Sequence, residues 1–355
     1  MPNYSSGVLV NGQALATKKS NSPELRRQMP SIFELALRNQ SISIPDAQAL
    51  RVSPLRPVDV NFFTSIAPGA GTAKAYNHTG SVGNSGKINV VYLQTVETFS
   101  LPQKLGYNNI IKYTEMWANQ YAQAWRNLRT RQDNLALAYL YSNRNQLTAA
   151  TMTTRLASSG LGSYWDDTNY ALALPAGNTD MFIANAKAAM MSSFYEGPYD
   201  MVVDVQLATY IEKFMNQGAG NQVNTSYQFS DVNFARTQVN IDSTYGGGTG
   251  IIMPQGQFAG LCWNEGLNVK GQFEDEGGPV GILTTVPDPF GSGAVADISM
   301  YTQRADTSSD SYGGSTQDIV DQVELTLTMG YVLAPLSLAS DSVAMEVAQR
   351  SGVPA

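Results

Sequence analysis

"YNNIIKYTEMWANQYAQAWRNLRTRQDNLALAYLYSNRNQL", residues 107–147, is the stretch on which the fold turns. About forty residues pass without a glycine or a proline. Ile110, Thr114, Trp117, Tyr121, Ala124 and Leu128 recur every three or four positions, and Leu135, Ala138 and Tyr139 continue the stripe. That period specifies an amphipathic helix. At 1.5 Å per residue it would be about 60 Å long, well beyond the usual span of a globular helix. No strict heptad is kept over enough repeats for a coiled coil. Pro102 and Gly106 lie just before the helix. Trp117, Tyr121, Leu128 and Leu135 are the expected core contacts along it.

Upstream, "VDVNFFTSI" (58–66) and "KINVVYLQTVETFSL" (87–101) read as two strands, rich in β-branched and aromatic residues. The glycine-rich "PGAGTAKAYNHTGSVGNSG" (68–86) lies between them. Together they predict a long two-stranded projecting loop. A lone hairpin is marginal in water, so Phe62, Phe63, Val91 and Tyr92 need cover from another surface. The Gly86-Lys87 pair tests as a phosphate-binding loop and fails. A P-loop needs glycine at 81 and a hydroxyl after the lysine, whereas these positions hold Ser81 and Ile88. A strand follows where a P-loop has a helix.

Further upstream, residues 1–55 read as an extended arm with no core of its own. Ser22 could cap a short helix with Pro23 at its first position, interrupted at Pro30. Downstream, residues 160–300 read as a compact α+β unit. "TDMFIANAKAAMMSSFYEG" (179–197) predicts a helix capped by Thr179 or Asp180 and stopped at Gly197. "YDMVVDV" (199–205) is a short buried strand, and "QLATYIEKFMNQ" (206–217) a helix ending at Gly218. "DVNFARTQVNIDST" (231–244), "GTGIIMPQGQFAGLCW" (248–263) and "GLNVKGQF" (266–273) read as strands between glycine turns. "DQVELTLTMGYVLAPLSLA" (321–339) is strand-rich until Pro335.

Composition narrows the function. With 43% hydrophobic and 14% charged residues, the chain can bury a sizeable core. No apolar run approaches the ~20 residues of a membrane span, and the N-terminus lacks the pattern of a secretory signal. Residues 1–150 hold 15 Lys/Arg against 7 Asp/Glu, and residues 151–355 hold 7 against 22. Such a split suits the basic part of one copy lying on the acidic part of another; chance distribution on a solvated surface is the plain alternative.

Chemistry-bearing residues are few. His78 is the sole histidine and falls in the glycine-rich loop, whereas a catalytic base must be held rigidly. Cys262, between Leu261 and Trp263, reads as a small buried side chain and not a reactive thiol. Glu274, Asp275 and Glu276 cluster without the ligand spacing of a calcium loop. Gly246, Gly247 and Gly248 form a turn or flexible loop without a dinucleotide fingerprint. Arg126, Arg129 and Arg131 on the long helix are expected to meet an acidic neighbour first, and nucleic acid or solvent otherwise. No catalytic, cofactor-binding or metal-ligating residue is assigned, and the chain is read as a non-enzyme.

The order of elements — polar arm, glycine-tipped two-stranded loop, very long helix, compact α+β unit, final strand — resembles the Hong Kong 97 fold of tailed-phage major capsid proteins. The stretches 179–215, 250–271 and 321–340 resemble that family's A-domain helix–strand–helix, its late A-domain strands and its terminal P-domain strand. The resemblance implies an α+β chain divided into an N-terminal arm (1–55), an E-loop (56–105), a P-domain spine helix (106–158), an A-domain (159–318) and a closing P-domain strand with C-terminal tail (319–355). It implies hexamers and pentamers building an icosahedral shell around double-stranded DNA, and Phe62, Phe63, Lys74, His78, Lys87, Val91 and Tyr92 as intersubunit E-loop contacts. Portal, separate scaffolding or decoration proteins and non-specifically bound DNA would be the partners. The protein would be synthesised in the host cytoplasm and end in the virion, with no membrane and no cofactor. Some family members crosslink a loop lysine to a neighbour's asparagine; Lys74 and Lys87 are loop lysines, but no matching partners can be identified. The short arm after Met1 implies that scaffolding is separate or absent. An encapsulin-like cellular shell and, further off, an α+β hydrolase are the alternatives.

Overall fold

A computed structural model describes residues 12–15, 31–39, 58–63, 85–102, 113–218, 231–264, 281–309, 315–334 and 342–351. In chain order these form helix α1 (Ile32–Arg38), strands β1 (Val58–Phe63), β2 (Ser85–Val90) and β3 (Tyr92–Pro102), and the long helix α2 (Tyr113–Ser142). Then come α3 (Ala149–Arg155), β4 (Trp165–Asp166), β5 (Ala171–Leu174), α4 (Phe182–Ser192), β6 (Tyr199–Val203) and α5 (Val205–Gly218). Seven strands follow: β7 (Val232–Arg236), β8 (Thr249–Pro254), β9 (Phe258–Trp263), β10 (Gly281–Pro287), β11 (Val295–Ser309), β12 (Ser315–Leu333) and β13 (Met345–Gln349).

The first sheet is antiparallel, in the order β10-β11-β12-β3, with β9 on the far end of β12. Its sequence carries the alternation of a one-sided sheet. Val323, Leu325, Leu327, Met329, Tyr331 and Leu333 are buried, whereas Glu324 lies on the solvent face. Phe99 pairs with Val323 and Thr95 with Leu327, so β3 presents the same face. Helix α2 packs on it through Trp117, Tyr121, Ala124, Trp125 and Leu128, all buried. Helix α1 fills the space between α2 and β9.

The second sheet is mixed, in the order β4-β5-β13-β8-β6-β7. Strand β13 runs parallel to β5 and antiparallel to β8, and β6 runs parallel to β7 and antiparallel to β8. Its central strands are apolar on both faces, as layers on both sides require. Met201, Val203, Ile252 and Val347 join the core with α4 and α5, while Val202, Ile251 and Met253 face the core shared with α1 and α2.

Several boundaries depart from the sequence reading. Helix α2 has 30 described residues, about 45 Å at 1.5 Å per residue; residues 107–112 lie outside the described set. Its stripe runs through Gln132, Ala136, Leu137 and Leu140, while Ala138 is exposed and Leu135 and Tyr139 are half-buried. Counting apolar residues alone skipped the buried Gln132 and shifted the phase of the last turns.

The sequence of the arm predicts no core, yet α1 is central to one. Ser31 accepts from the Glu34 N–H, and the Glu34 carboxylate accepts from the Ser31 N–H, a complete capping box. Ile32, Phe33 and Ala36 are fully buried. The short helix expected from Ser22 and its interruption at Pro30 lie outside the described residues.

The range 56–105 also divides. Only β1 and β2 form the hairpin; after a break at Val91 the chain enters the first sheet as β3, so Tyr92 belongs to that sheet's edge. Strands β10 and β11, placed within 159–318, pair with β12, whereas β13, placed in the closing 319–355 segment, lies inside the second sheet. Helix α4 follows a 3-10 segment (Ala176–Met181), its N-cap Met181 makes no side-chain bond, and it ends at Ser192, with Ser193 as C-cap, instead of at Gly197. Strand β7 stops at Arg236, and the stretch 266–273 lies outside the described residues.

Candidate self-association surface

In the hairpin, Val58 to Phe63 pair with Val90 to Ser85, and among the described residues no third strand joins it. Each strand therefore has one edge of backbone N–H and C=O groups outside the ladder, which can take a partner strand. The base of the hairpin is anchored on its own chain: Val60 and Val90 are buried against Ala259, Leu261 and Val332. Val60 and Val90 thus find cover within their own chain. Lys87 is exposed and lies 3.9 Å from Asp59, a contact of little energetic weight. Val91 is 65% exposed at the break, and Tyr92 sets its ring 6.5 Å from that of Trp263. Lys74 and His78, and the side chains of Phe62 and Phe63, lie outside what is described.

Helix α2 forms a stiff platform on the other face of β9 and β12, where Phe258, Cys262, Tyr331 and Leu333 join its core. Trp117 stacks on Tyr121 at 4.9 Å, Tyr121 meets Trp125 edge-on at 6.4 Å, and Phe99 meets Trp117 edge-on at 6.0 Å. Burial raises the Tyr121 hydroxyl's pKa far above the ordinary tyrosine range. Leu128 is fully buried. Gly12 lies so close to the Trp117 ring that a Cβ there would overlap it. The buried Gln132 amide donates to Thr95 Oγ1 (2.9 Å) and the Leu327 carbonyl (3.1 Å), and its oxygen accepts from the Tyr331 hydroxyl (2.8 Å).

The arginines of α2 divide. Arg129 is buried, ion-paired with Glu34, 3.7 Å from Asp288, and lies over the Phe290 ring at 5.2 Å. Arg131 donates to the Val96 carbonyl (3.0 Å) and pairs with Glu97 at 2.8 Å. Both thus meet acidic groups of their own chain. Arg126 is exposed on α2, with its guanidinium 5.6 Å from the Phe290 ring centre.

One ionisable cluster escaped the sequence reading. Arg144, just past α2, pairs with Glu346 of β13 at 2.5 Å and donates to the carbonyls of Tyr141 (2.7 Å) and Asn169 (2.8 Å). Glu346 is fully buried. The small side chains of Ala171, Ala173 and Ala348 share a cluster with Tyr245 on this side of the strands, which leaves room for the ion pair. Tyr245 donates to Asp166 (2.7 Å) and Tyr141 to Asp242 (3.3 Å). Burial pushes the Glu346 carboxyl up to about 7; Arg144 pulls it down, and Asp242 and Asp166 push it up. The signal was legible as a lone glutamate in the apolar run "VAMEVAQ" (343–349).

The remaining candidates are structural. Cys262 is fully buried with Sγ 3.0 Å from Met329 Sδ. Gly248 has φ +104, and a Cβ there would lie 2.9 Å from the Leu207 nitrogen, at the start of α5, whereas Gly246 and Gly247 pack against Ser351 and Gln349. Glu274, Asp275 and Glu276 lie outside the described residues. Among the described residues no group of three or more His, Cys, Asp or Glu could hold a metal, and no helix is long and apolar enough to cross a membrane. An open hollow of about 300 Å³ on the first sheet is lined by Thr98, Ser100, Tyr301, Gln322 and Glu324, among others. Large apolar side chains do reach solvent on α4: Met191 is 62% exposed and Phe194 is 94% exposed.

No protein-family model matches the sequence, and no curated protein does. Solved structures similar to the chain include several from phages. A cyanophage Pam1 capsid chain matches with a TM-score of 0.46 and 7% identity, over 86% of this chain and 87% of that one. A chain from Mycobacterium phage Bobi matches with a TM-score of 0.45 and 8% identity over 94% of each. A capsid chain of Ralstonia phage GP4 matches with a TM-score of 0.41 and 10% identity, over 86% and 87%.

Proposed function

We propose that this chain is the major capsid protein of a tailed bacteriophage, with a Hong Kong 97-type fold. Copies assemble as hexamers and pentamers into an icosahedral shell enclosing double-stranded DNA. The observation that carries this reading is the hairpin of β1 and β2 seated on β9 and β12 of the first sheet. Its base is anchored on its own chain, while each strand keeps one edge outside the ladder. Such an element supplies contact area to a neighbour without weakening the subunit's own core. The buried aromatic row on α2 supplies the stiffness that a shell subunit needs, and no catalytic step is assigned to the chain.

In this reading residues 56–105 reach an adjacent subunit, with Phe62, Phe63, Lys74, His78, Lys87, Val91 and Tyr92 at or near the contact. Trp117, Tyr121, Leu128 and Leu135 hold the spine. The partners are other copies of the chain, portal and scaffolding or decoration proteins, and packaged DNA bound without sequence preference. The protein is made in the host cytoplasm and ends in the virion.

Electron microscopy of the purified full-length chain tests the proposal. Closed hollow shells built from hexamers and pentamers are the expected result, with DNA inside those taken from infected cells. A chain that stays monomeric across concentration and salt refutes it, and shells that enclose an enzyme cargo instead of DNA favour a cellular compartment.

A further inference from the structure

Helix α4 ends in a way that favours glycine and holds a phenylalanine. The Phe194 N–H donates to the Met191 carbonyl at 3.0 Å and the Tyr195 N–H to the Met190 carbonyl at 3.0 Å. Those two bonds make a Schellman ending, in which the residue after the cap adopts the left-handed conformation and is usually glycine. Here that residue is Phe194, with φ +63 and 94% of its surface exposed. Tyr195 turns back onto both hydrophobic cores, so the ending is fixed while the Phe194 ring stands in water. Met191, in the turn before, is 62% exposed.

A side chain with a Cβ is strained in the left-handed region, and an aromatic ring left in water gains no burial. Neither feature helps the isolated subunit, so the ring's use lies outside it. An exposed acid, Glu196, lies two residues on, while Asp231 is neutralised by its ion pair with Lys187 of α4. Residues 151–355 as a whole carry 22 Asp/Glu against 7 Lys/Arg, whereas residues 1–150 carry 7 against 15. Complementary fields of this kind choose partner and orientation.

We infer that Phe194 and Met191 form an apolar contact seated against the basic first 150 residues of a second copy of this chain, an inference that rests on the shell reading for why copies meet. Glycine at 194 removes the strain and the ring together, so it shifts subunit stability and association in opposite directions.

The test is sedimentation velocity and thermal melting of the full chain, wild type against Phe194→Gly and Glu196→Lys, at low and high salt. Phe194→Gly is expected to melt about 1–2 °C higher as a subunit and to self-associate about tenfold or more weakly. Glu196→Lys is expected to weaken association at low salt and to lose that effect at high salt. Wild-type association strength in Phe194→Gly overturns the contact even where shells form. Unchanged association in Glu196→Lys overturns the choice of the basic half as partner. Association that depends on Phe194 but never closes into shells keeps the contact and refutes the capsid reading, and a wild-type chain that never associates overturns both.

Discussion

Replacing Glu346 by glutamine should remove a specific pH dependence from the stability of this protein. Glu346 is buried on β13 beside one cation, Arg144, with Asp242 and Asp166 also acting on it and Tyr141 and Tyr245 bonded to those two. Burial, the largest cause, raises its pKa from 4.5 to about 7. The folded state thus binds a proton more tightly than the unfolded chain does. The contribution of this group to stability is greatest below pH 4.5 and declines as pH rises towards 7; above 7 it is flat. One pKa unit corresponds to about 1.4 kcal/mol, so the whole decline is about 3 kcal/mol. Glutamine keeps the shape and cannot ionise. The stability difference between Glu346→Gln and wild type should therefore move in the variant's favour by about 3 kcal/mol between pH 4.5 and pH 8. Urea unfolding of both proteins, followed by circular dichroism under conditions that keep the subunit unassembled, measures this. A difference that is the same at both pH values would refute the reasoning and mean that Glu346 stays ionised through pairing with Arg144.

Leu128→Asp places an unpaired charge against the first sheet and should give no soluble folded protein; normal yield and a normal spectrum would show that the site tolerates water. Gln132→Ala removes the partner of three buried polar groups and should cost about 2 kcal/mol in urea unfolding, and a loss below the error of the measurement would mean that water replaces the amide. Joining Phe63 to Ser85 by a two-residue turn uses a pair already opposite in the ladder. It should leave the subunit's thermal transition unchanged and nearly abolish closed shells; shells at wild-type yield would remove the loop from the contact.

What the residues alone specified were the elements whose signal is local. The helical period of Trp117, Tyr121 and Leu128 placed α2, because three or four positions separate neighbours on one helix face whatever they later touch. The apolar runs of Tyr199–Val203 and Thr249–Pro254 marked strands buried on both faces for a similar reason. Tertiary structure decided whatever depends on a partner distant in sequence. Tyr92 reads as the continuation of a hairpin strand until β12 is present, and only the pairing of Gly330 with Tyr92 assigns it to the first sheet. Strand β13 looks like a tail after β12, yet its ladder partners are β5 and β8. The burial of Gln132 and Arg129 does not show in their polarity, because it follows from partners such as Tyr331 and Glu34 that the fold brings from far away in sequence. The helix stop at Phe194 belongs to the same class. A left-handed residue is announced by glycine when local energetics choose it, and it goes unannounced when the side chain is kept for something beyond the helix.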